Sequence, residues 1–501
     1  MDTEIEIKLV ISGESDDLVQ AIESAADVYF SADKQLANIY FDTPDRQLRD
    51  LDIGLRVRST DDVAVQTIKT AGRVVGGLHQ RPEYNLPIEG SRPDITLFPE
   101  DIWPDGVNKK KLQKKLVPIF STNFRRRSWC LRFDDGSEVE VALDLGLVEA
   151  NHLEEPIAEV EFELLKGDPD HLFGLARTVS NVVPARLGHL SKAARGYRLA
   201  KGEVEYPVCK LRPVSLERQS SVETAFEATV KSALDTIQHN EQSFLTSPSF
   251  RAVEALYYGY LWLQQVFEAY KEAIPLEASE TLRDELKWLM SSLSWVREAS
   301  HRQHALEDDG HFLRKLDDQA LIVSELQMIS EQSPDQQEVS ELLLSTRYCQ
   351  LVLSLTEWLF EQGWRRYMVG DKDALEQSIK SSGRQQLTSL WQQLHLSYQG
   401  DEFNGQLYQE HFAHLEIALG YRLCFADLFS AEQGADCAEP WLDLYRGSKE
   451  WHQLNYLEQL AESWPLKERE QFLKWLKRKR KSLLHALEQS RFSAIQSPIF
   501  G

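Results

Sequence analysis

The feature that most limits what this chain can fold into is a change in the period of its apolar residues. Up to about residue 165 they recur at every second position, the repeat of a strand with one buried face. Beyond about residue 205 they recur every three to four positions, the repeat of an amphipathic helix. The two repeats belong to different layers, so the chain divides into a strand-rich part and a helical part. Strands are expected over 3–11, 37–43, 53–60, 62–70, 78–86, 117–133, 137–145 and 156–165, with helices near 15–27, 107–116 and 168–182 and a short one after Ser191. Eight strands suffice to close a small barrel.

The helical part follows YPVCKLRP, where Pro207 and Pro213 disfavour regular structure. One helix starts with Pro248 in its first turn and stops at Pro275. Others are expected at roughly 216–245, 277–306, 311–332, 335–364, 384–398, 403–430, 440–464 and 466–494. The stretch LLLSTRYCQLVLSLTEWLF, residues 342–360, is the most apolar of these, but Arg347 and Glu357 interrupt it and it reads as a buried helix, not a membrane span. The expected fold class is α+β: an eight-stranded antiparallel β-barrel tunnel with flanking helices over residues 1–205, a linker at 206–215, and an all-α helical bundle over 216–501.

The polar faces of the strands are unusual. MDTEIEIKLV alternates Glu4, Glu6 and Lys8 with Ile5, Ile7 and Leu9, and LEEPIAEVEFELL sets Glu159, Glu161 and Glu163 against Val160, Phe162 and Leu164. Arg56 with Arg58, Thr67 with Lys69, Arg81 with Glu83, and Glu138, Glu140 and Asp144 repeat the habit. In TNFRRRSWCLRF, strand parity puts Arg125 and Arg127 with the apolar Trp129 and Leu131, which leaves Arg126 for the other face. One charged face is a solvated edge; a series of them, with acids and bases segregated, needs another cause. Aligned carboxylates repel one another, and a divalent cation with a preference for oxygen ligands removes that repulsion. Arg and Lys side chains opposite them suit an anion with many oxygens. An inside-out barrel, charged within and apolar without, is therefore expected to enclose a metal-bound phosphate chain.

These residues resemble the CYTH, or triphosphate tunnel metalloenzyme, domain. Its ExExK motif is matched by Glu4, Glu6 and Lys8, and its RxR pair by Arg56 and Arg58. Lys69, then Arg81 with Glu83, then Thr122 with Arg126 match its later elements in order. Asp144 with Gly146, the acidic strand of Glu159, Glu161 and Glu163, and the closing Ser191, Lys192, Arg195, Gly196 and Tyr197 complete a match over about 200 residues. The order of the two parts is similar to that of bacterial inorganic triphosphatases in which a CYTH domain precedes a helical CHAD domain. In CHAD domains the first helices carry runs of His and Arg; here FRAVEALYYGYLWLQQ keeps Arg251 without such a run, so the helical part is expected to be a divergent member.

The resemblance implies hydrolysis of inorganic tripolyphosphate to pyrophosphate and phosphate by attack of water on the terminal phosphorus. Lys8, Arg56, Arg58, Lys69, Arg81, Arg126 and Lys192 are then assigned to substrate oxygens, and Glu4, Glu6, Asp144, Glu159, Glu161 and Glu163 to one or two Mg²⁺ or Mn²⁺ ions. Glu4, Glu6, Lys8, Glu161 and Glu163 form the catalytic set, while Glu83 is expected to orient Arg81. The same cavity could serve an adenylate cyclase or a thiamine or nucleoside triphosphatase, and a non-catalytic polyphosphate-binding scaffold is the reading of a different class. A scaffold would need the cations but not five aligned glutamates.

Long-chain polyphosphate is a further candidate partner. A net charge of −23, about two thirds of it in the helical half, argues against nucleic acid as a partner, and no membrane span or secretory leader is expected. Five scattered cysteines without metal-site spacing fit reduced thiols in the cytoplasm. The pairs His301/His304 and His411/His414 lack a matching carboxylate and read as ordinary helix histidines, and KWLKRKRK at 474–481 and KKKLQKK at 109–115 as solvated helix faces.

Overall fold

The computed structural model describes residues 2–60, 63–217, 219–307, 319–368, 373–400 and 403–500. Residues 62, 218 and 311–318 of the expected elements lie outside the described residues. The chain forms two compact units, one of residues 1–207, 245–247 and 340–362, the other of residues 208–244, 248–339 and 363–501.

The first unit is built on ten strands: β1 (Asp2–Ile11), β2 (Asp27–Asp42), β3 (Gly54–Thr60), β4 (Val63–Lys69), β5 (Arg73–Val75), β6 (Leu78–Ile88), β7 (Val117–Arg132), β8 (Glu138–Ala150), β9 (Leu153–Lys166) and β10 (Ala185–Leu187). Eight of them close a barrel in the order β1-β9-β8-β7-β2-β3-β4-β6, and β6 pairs back onto β1; β5 and β10 flank this closure. Every pairing is antiparallel. The barrel thus has no open edge along its circumference.

The strands depart from the sequence expectation at the start of β2, at the β8–β9 junction, where β8 runs on to Ala150 and β9 starts at Leu153, and in the short β5 and β10, which it does not foresee. β2 starts at Asp27 instead of 37, paired throughout with β7. Its first part, DVYFSADKQ, is largely exposed on both faces, Phe30 at 51% and Tyr29 at 41%, so it carries no alternation to read. β8 and β9 are joined by the two residues Asn151 and His152, both left-handed (φ 51° and 65°). This is a tight hairpin turn made without the glycine that usually marks one.

Strand parity divides the core in two. Outside the barrel, Phe41, Leu55, Val57 and Ile68 pack on Ile95, Phe98, Ile102, Trp103 and Leu112 from the segment between β6 and β7. Inside, at one end, Tyr40, Phe120, Phe124, Val148 and Ile157 pack on Tyr197 and Leu199 of the helix Lys192–Ala200. That helix fills the barrel end. It approaches so closely that a Cβ on Gly196 would lie 2.1 Å from the Phe120 ring. The rest of the interior is polar, mostly charged, with neutral Asn38, Thr67 and Thr122 among the charges.

The helix Thr346–Phe360 also belongs to the barrel unit, although by sequence it lies deep in the helical half. The second unit is helical, with Phe250–Ala269, Gly405–Phe425, Ala431–Leu460 and Leu466–Gln496 among its longest helices. Trp262, Trp391 and Trp441 are buried in it. The single helix expected over 277–306 is two, Glu280–Ser292 and Trp295–Glu307. Among the described residues no helix is long and apolar enough to cross a membrane.

Candidate functional site

Register decides which charged side chains meet. Across β1 and β9, Glu6 stands opposite Glu163, and Lys8 opposite Glu161. Across β8 and β9, Glu140 faces Glu163 and Asp144 faces Glu159. On the other side, Glu4 faces Arg81, Lys69 faces Glu83, and Arg126 faces Asp144. All of these lie on the inward parity, and a cavity of about 860 Å³ opens among them.

The cations Lys8, Arg56, Arg58, Lys69, Arg81, Arg126 and Lys192 all line this cavity. So do the acids Glu4, Glu6, Glu161 and Glu163, joined by Glu140. Asp144 and Glu159 do not: they are 0% and 1% exposed, beneath the cationic side chains that line it. Arg125 and Arg127 lie on the outer face, paired with Asp33 and Glu14.

The carboxylates form two groups in different electrostatic states. Asp144, Glu159 and Glu161 present oxygens within 4.8 Å of one another, a spacing that suits one cation. The Lys192 ammonium lies among them, 2.6 Å from Asp144 and 3.0 Å from Glu161, and also bonds Glu159. Lys8 stands 2.8 Å from Glu161 and 3.4 Å from Glu159. Arg126 forks onto Asp144 at 2.7 Å with both bonds and reaches Glu161 at 2.6 Å. Burial alone would raise the Glu161 pKa, but Lys192, Lys8 and Arg126 outweigh it and hold this carboxyl well below the ordinary range.

Glu4, Glu6, Glu163 and Glu140 are less well matched. Glu6, Glu163 and Glu140 stand side by side across three strands, where like charges directly opposite one another are unfavourable. Burial, then Glu6, pushes the Glu163 carboxyl up to about 7. Burial and then Glu6 push Glu4 up to about 8, even though it pairs with Lys69. An all-oxygen set that repels itself fits a hard divalent cation.

The basic wall has the complementary imbalance. Arg56, followed by burial and Arg126, pushes the Arg58 guanidinium down to about 9. The Nε atoms of Arg56 and Arg81 are buried with no hydrogen-bond partner among the described residues. Arg58 Nε donates to Asn38 Oδ1 at 2.8 Å, and Asn38 Nδ2 donates to Thr122 Oγ1 at 2.9 Å, so a buried amide fixes the fork's direction. Crowded guanidinium groups with donors to spare suit a phosphate chain.

The expectation for Glu83 is corrected. Its carboxylate pairs with Lys69 at 2.9 Å and Arg56 at 3.5 Å, not with its strand neighbour Arg81. The cause is register: Lys69 stands directly across β4 and β6, closer than a residue two positions along the same strand. Sequence reasoning assigned no role to Asn38, whose uncharged side chain gave no signal, or to Glu140. The latter could have been found, since EVEVALD places it in phase with Asp144.

The profile of the CYTH domain matches residues 2–197, and that of the CHAD domain residues 228–478. An inorganic triphosphatase of Haemophilus influenzae is 38% identical over 201 residues, 39% of this chain and 54% of the relative, so the match spans about half of that protein. Among solved structures, the CHAD domain of the plant Ricinus communis is similar with 16% identity and a TM-score of 0.46, over 58% of this chain and 98% of that one. A protein of Hippeastrum, described as a candidate adenylyl cyclase with a dominant triphosphatase activity, is similar with 20% identity and a TM-score of 0.29, over 39% of this chain and 95% of its own.

Proposed function

The chain belongs to the CHAD family and carries a CYTH domain ahead of its CHAD domain, and from that premise we propose that its barrel is a divalent-cation-dependent inorganic triphosphatase that cleaves tripolyphosphate to pyrophosphate and phosphate. The observation that carries this reading is the coexistence, in one lumen, of a self-repelling carboxylate row and a self-repelling guanidinium cluster. A cation relieves the first and a phosphate chain the second, and each bound group screens the other.

In this reading Arg56, Arg58, Arg81 and Lys69 bind phosphate oxygens from one wall, and Lys8, Arg126 and Lys192 from the other. Glu4, Glu6 and Glu163, with Glu140 beside them, would hold one Mg²⁺ or Mn²⁺ ion. Asp144, Glu159 and Glu161 would hold a second, or keep Lys8, Lys192 and Arg126 charged and aimed into the lumen. When bound, a divalent cation supplies charge neutralisation on the phosphate oxygens and makes nearby water more acidic. The protein's own share is positioning: fixed donors hold the chain extended, so the terminal phosphorus meets water in line. Glu161 or Glu163, on the strand facing Lys8, would take a proton from that water.

We keep residues 1–205 as the catalytic domain, 206–215 as a linker and 216–501 as the helical domain. The five free cysteines fit a reducing compartment, and we place the protein in the cytoplasm.

The test is phosphate release from tripolyphosphate, ATP, thiamine triphosphate and long-chain polyphosphate, with and without Mg²⁺. Tripolyphosphate should be the best substrate, and chelation should abolish turnover. Consumption of ATP alone with appearance of cyclic AMP overturns the reading. Glu161→Ala should lose about two to four decades of rate, on the order of 3–5 kcal/mol of barrier.

A further inference from the structure

The most apolar helical stretch of the sequence has no part in the function above, yet it lies in the barrel unit. We propose that the helix Thr346–Phe360 holds Lys8 in place from outside the barrel, through the Gly76–Gly77 turn that binds the Lys8 backbone. Thr356 and Glu357, far along the chain, are then positioning residues for the tunnel.

The helix is firmly seated. Thr346 Oγ1 donates to the Ser180 carbonyl at 2.9 Å, and the Gln350 amide donates to Asn181 Oδ1 at 2.9 Å. Arg177 donates to the Ser354 hydroxyl at 3.1 Å and pairs with Glu357 at 2.6 Å. Phe360 meets Phe173 with ring centroids 6.1 Å apart. These anchors lay the helix over β5 and β10, the two short strands that flank the barrel's closure.

At that closure β1 changes partners. Ile7 still pairs with Leu78 of β6, whereas Leu9 pairs with Leu187 of β10. Lys8 is the residue between. On this side its N–H donates to the Gly77 carbonyl at 3.0 Å, and its carbonyl accepts from the Gly188 N–H at 2.8 Å. The Gly188 carbonyl contacts His79 Nε2 at 3.0 Å, and a Cβ on Gly188 would lie 2.9 Å from Lys8 Cγ.

The helix reaches this arrangement at Gly76. That residue is left-handed (φ 58°), and a Cβ on it would lie 1.9 Å from Thr356 Oγ1. Thr356 is fully buried and its hydroxyl is tied to the Val352 carbonyl at 2.8 Å, so it presents a fixed surface to the turn backbone. A Cβ on Gly77 would meet Leu187 of β10 at 2.9 Å. One side chain of the helix therefore presses on the turn whose next carbonyl holds the Lys8 N–H. Displacement of that turn moves the Lys8 ammonium relative to Glu159 and Glu161, and an error of about 1 Å in such a group can cost on the order of a hundredfold in rate.

The test uses the full chain with Thr356→Leu, Thr356→Ser, Glu357→Arg and the pair Arg177→Glu/Glu357→Arg, all assayed well below their melting temperatures. Its kinetic arm rests on the triphosphatase reading; its second arm, hydrogen exchange of the peptide containing Lys8, does not. Thr356→Leu should speed that exchange and lower kcat for tripolyphosphate about tenfold or more with KM changed less, and Thr356→Ser should restore both. Glu357→Arg should act in the same direction, and the charge-swapped pair should recover. Should Thr356→Leu not fold, the charge-swap series decides alone. Wild-type exchange at Lys8 and wild-type kcat in Thr356→Leu and Glu357→Arg overturn the proposal, as does a fall in melting temperature alone. Absence of tripolyphosphate hydrolysis in the wild type would overturn the functional reading instead, and the exchange arm would still decide this one.

Discussion

Glu6, Glu163 and Glu140 crowd one another across three strands, and Lys69 offsets only part of the effect, since burial and Glu6 still push Glu4 up to about 8 and Glu163 up to about 7. Their folded values lie above those of the unfolded chain, so the stability they allow is complete below the ordinary carboxylate range and is lost as pH rises through 7 and 8. A cation on these carboxylates reverses that loss. The rise in melting temperature on adding Mg²⁺ should therefore grow between pH 6 and 8.5, with protons released on binding; calorimetry in buffers of different ionisation enthalpy measures the release. An Mg²⁺ effect independent of pH would place the ion elsewhere. On the opposite wall, Asn38→Ala leaves Arg58 Nε and Thr122 without their amide partner. It should raise KM for tripolyphosphate about tenfold and lower stability by about 1–3 kcal/mol, read from substrate titrations and denaturant melts. Residue by residue, the strand members of the inward set were legible from parity, Arg126 against Arg125 and Arg127 included, whereas Lys192 came only from the resemblance. Asn38 was not, because a neutral amide looks the same in a strand whether it orients a guanidinium or faces water.

At the scale of elements, the helix Lys192–Ala200 joins fold to site: its Ser191 cap and Lys192 face the charged lumen, while Tyr197 and Leu199 seal the barrel end. Gly196 permits this fit against Phe120. Gly196→Ala should cost about 1–3 kcal/mol by overpacking, and by lifting the helix it should lower activity too. Thermal melts and turnover together check this; an unchanged melting temperature would mean the helix is loosely held. Sequence periodicity found the strands that bury one face and missed the first part of β2, where neither face is buried. The Asn151–His152 turn was missed for a related reason: its left-handed pair is set by the strands it joins, not by a glycine.

For the whole molecule, the helix Thr346–Phe360 lies in the barrel unit although it falls far outside residues 1–205. A fragment of residues 1–210 lacks it and would expose the apolar faces of β5, β10 and the helix Asp170–Ser180, including Phe173. That fragment should melt well below the full chain and bind an apolar dye, and adding a peptide of residues 340–362 should reverse both. A fragment as stable as the full chain would show the helix to be dispensable. The sequence alone determined a strand-rich first part whose charged faces alternate with apolar ones and a helical second half, because burial imposes a repeat of two on strands and of 3.6 on helices, and repeats can be read along one dimension. The tertiary structure alone decided which charges neutralise one another, that an apolar plug fills one barrel end, and that a helix 150 or so residues downstream belongs to the barrel unit. These depend on register and on contacts between distant segments, and interactions of that kind leave no periodic trace in the chain.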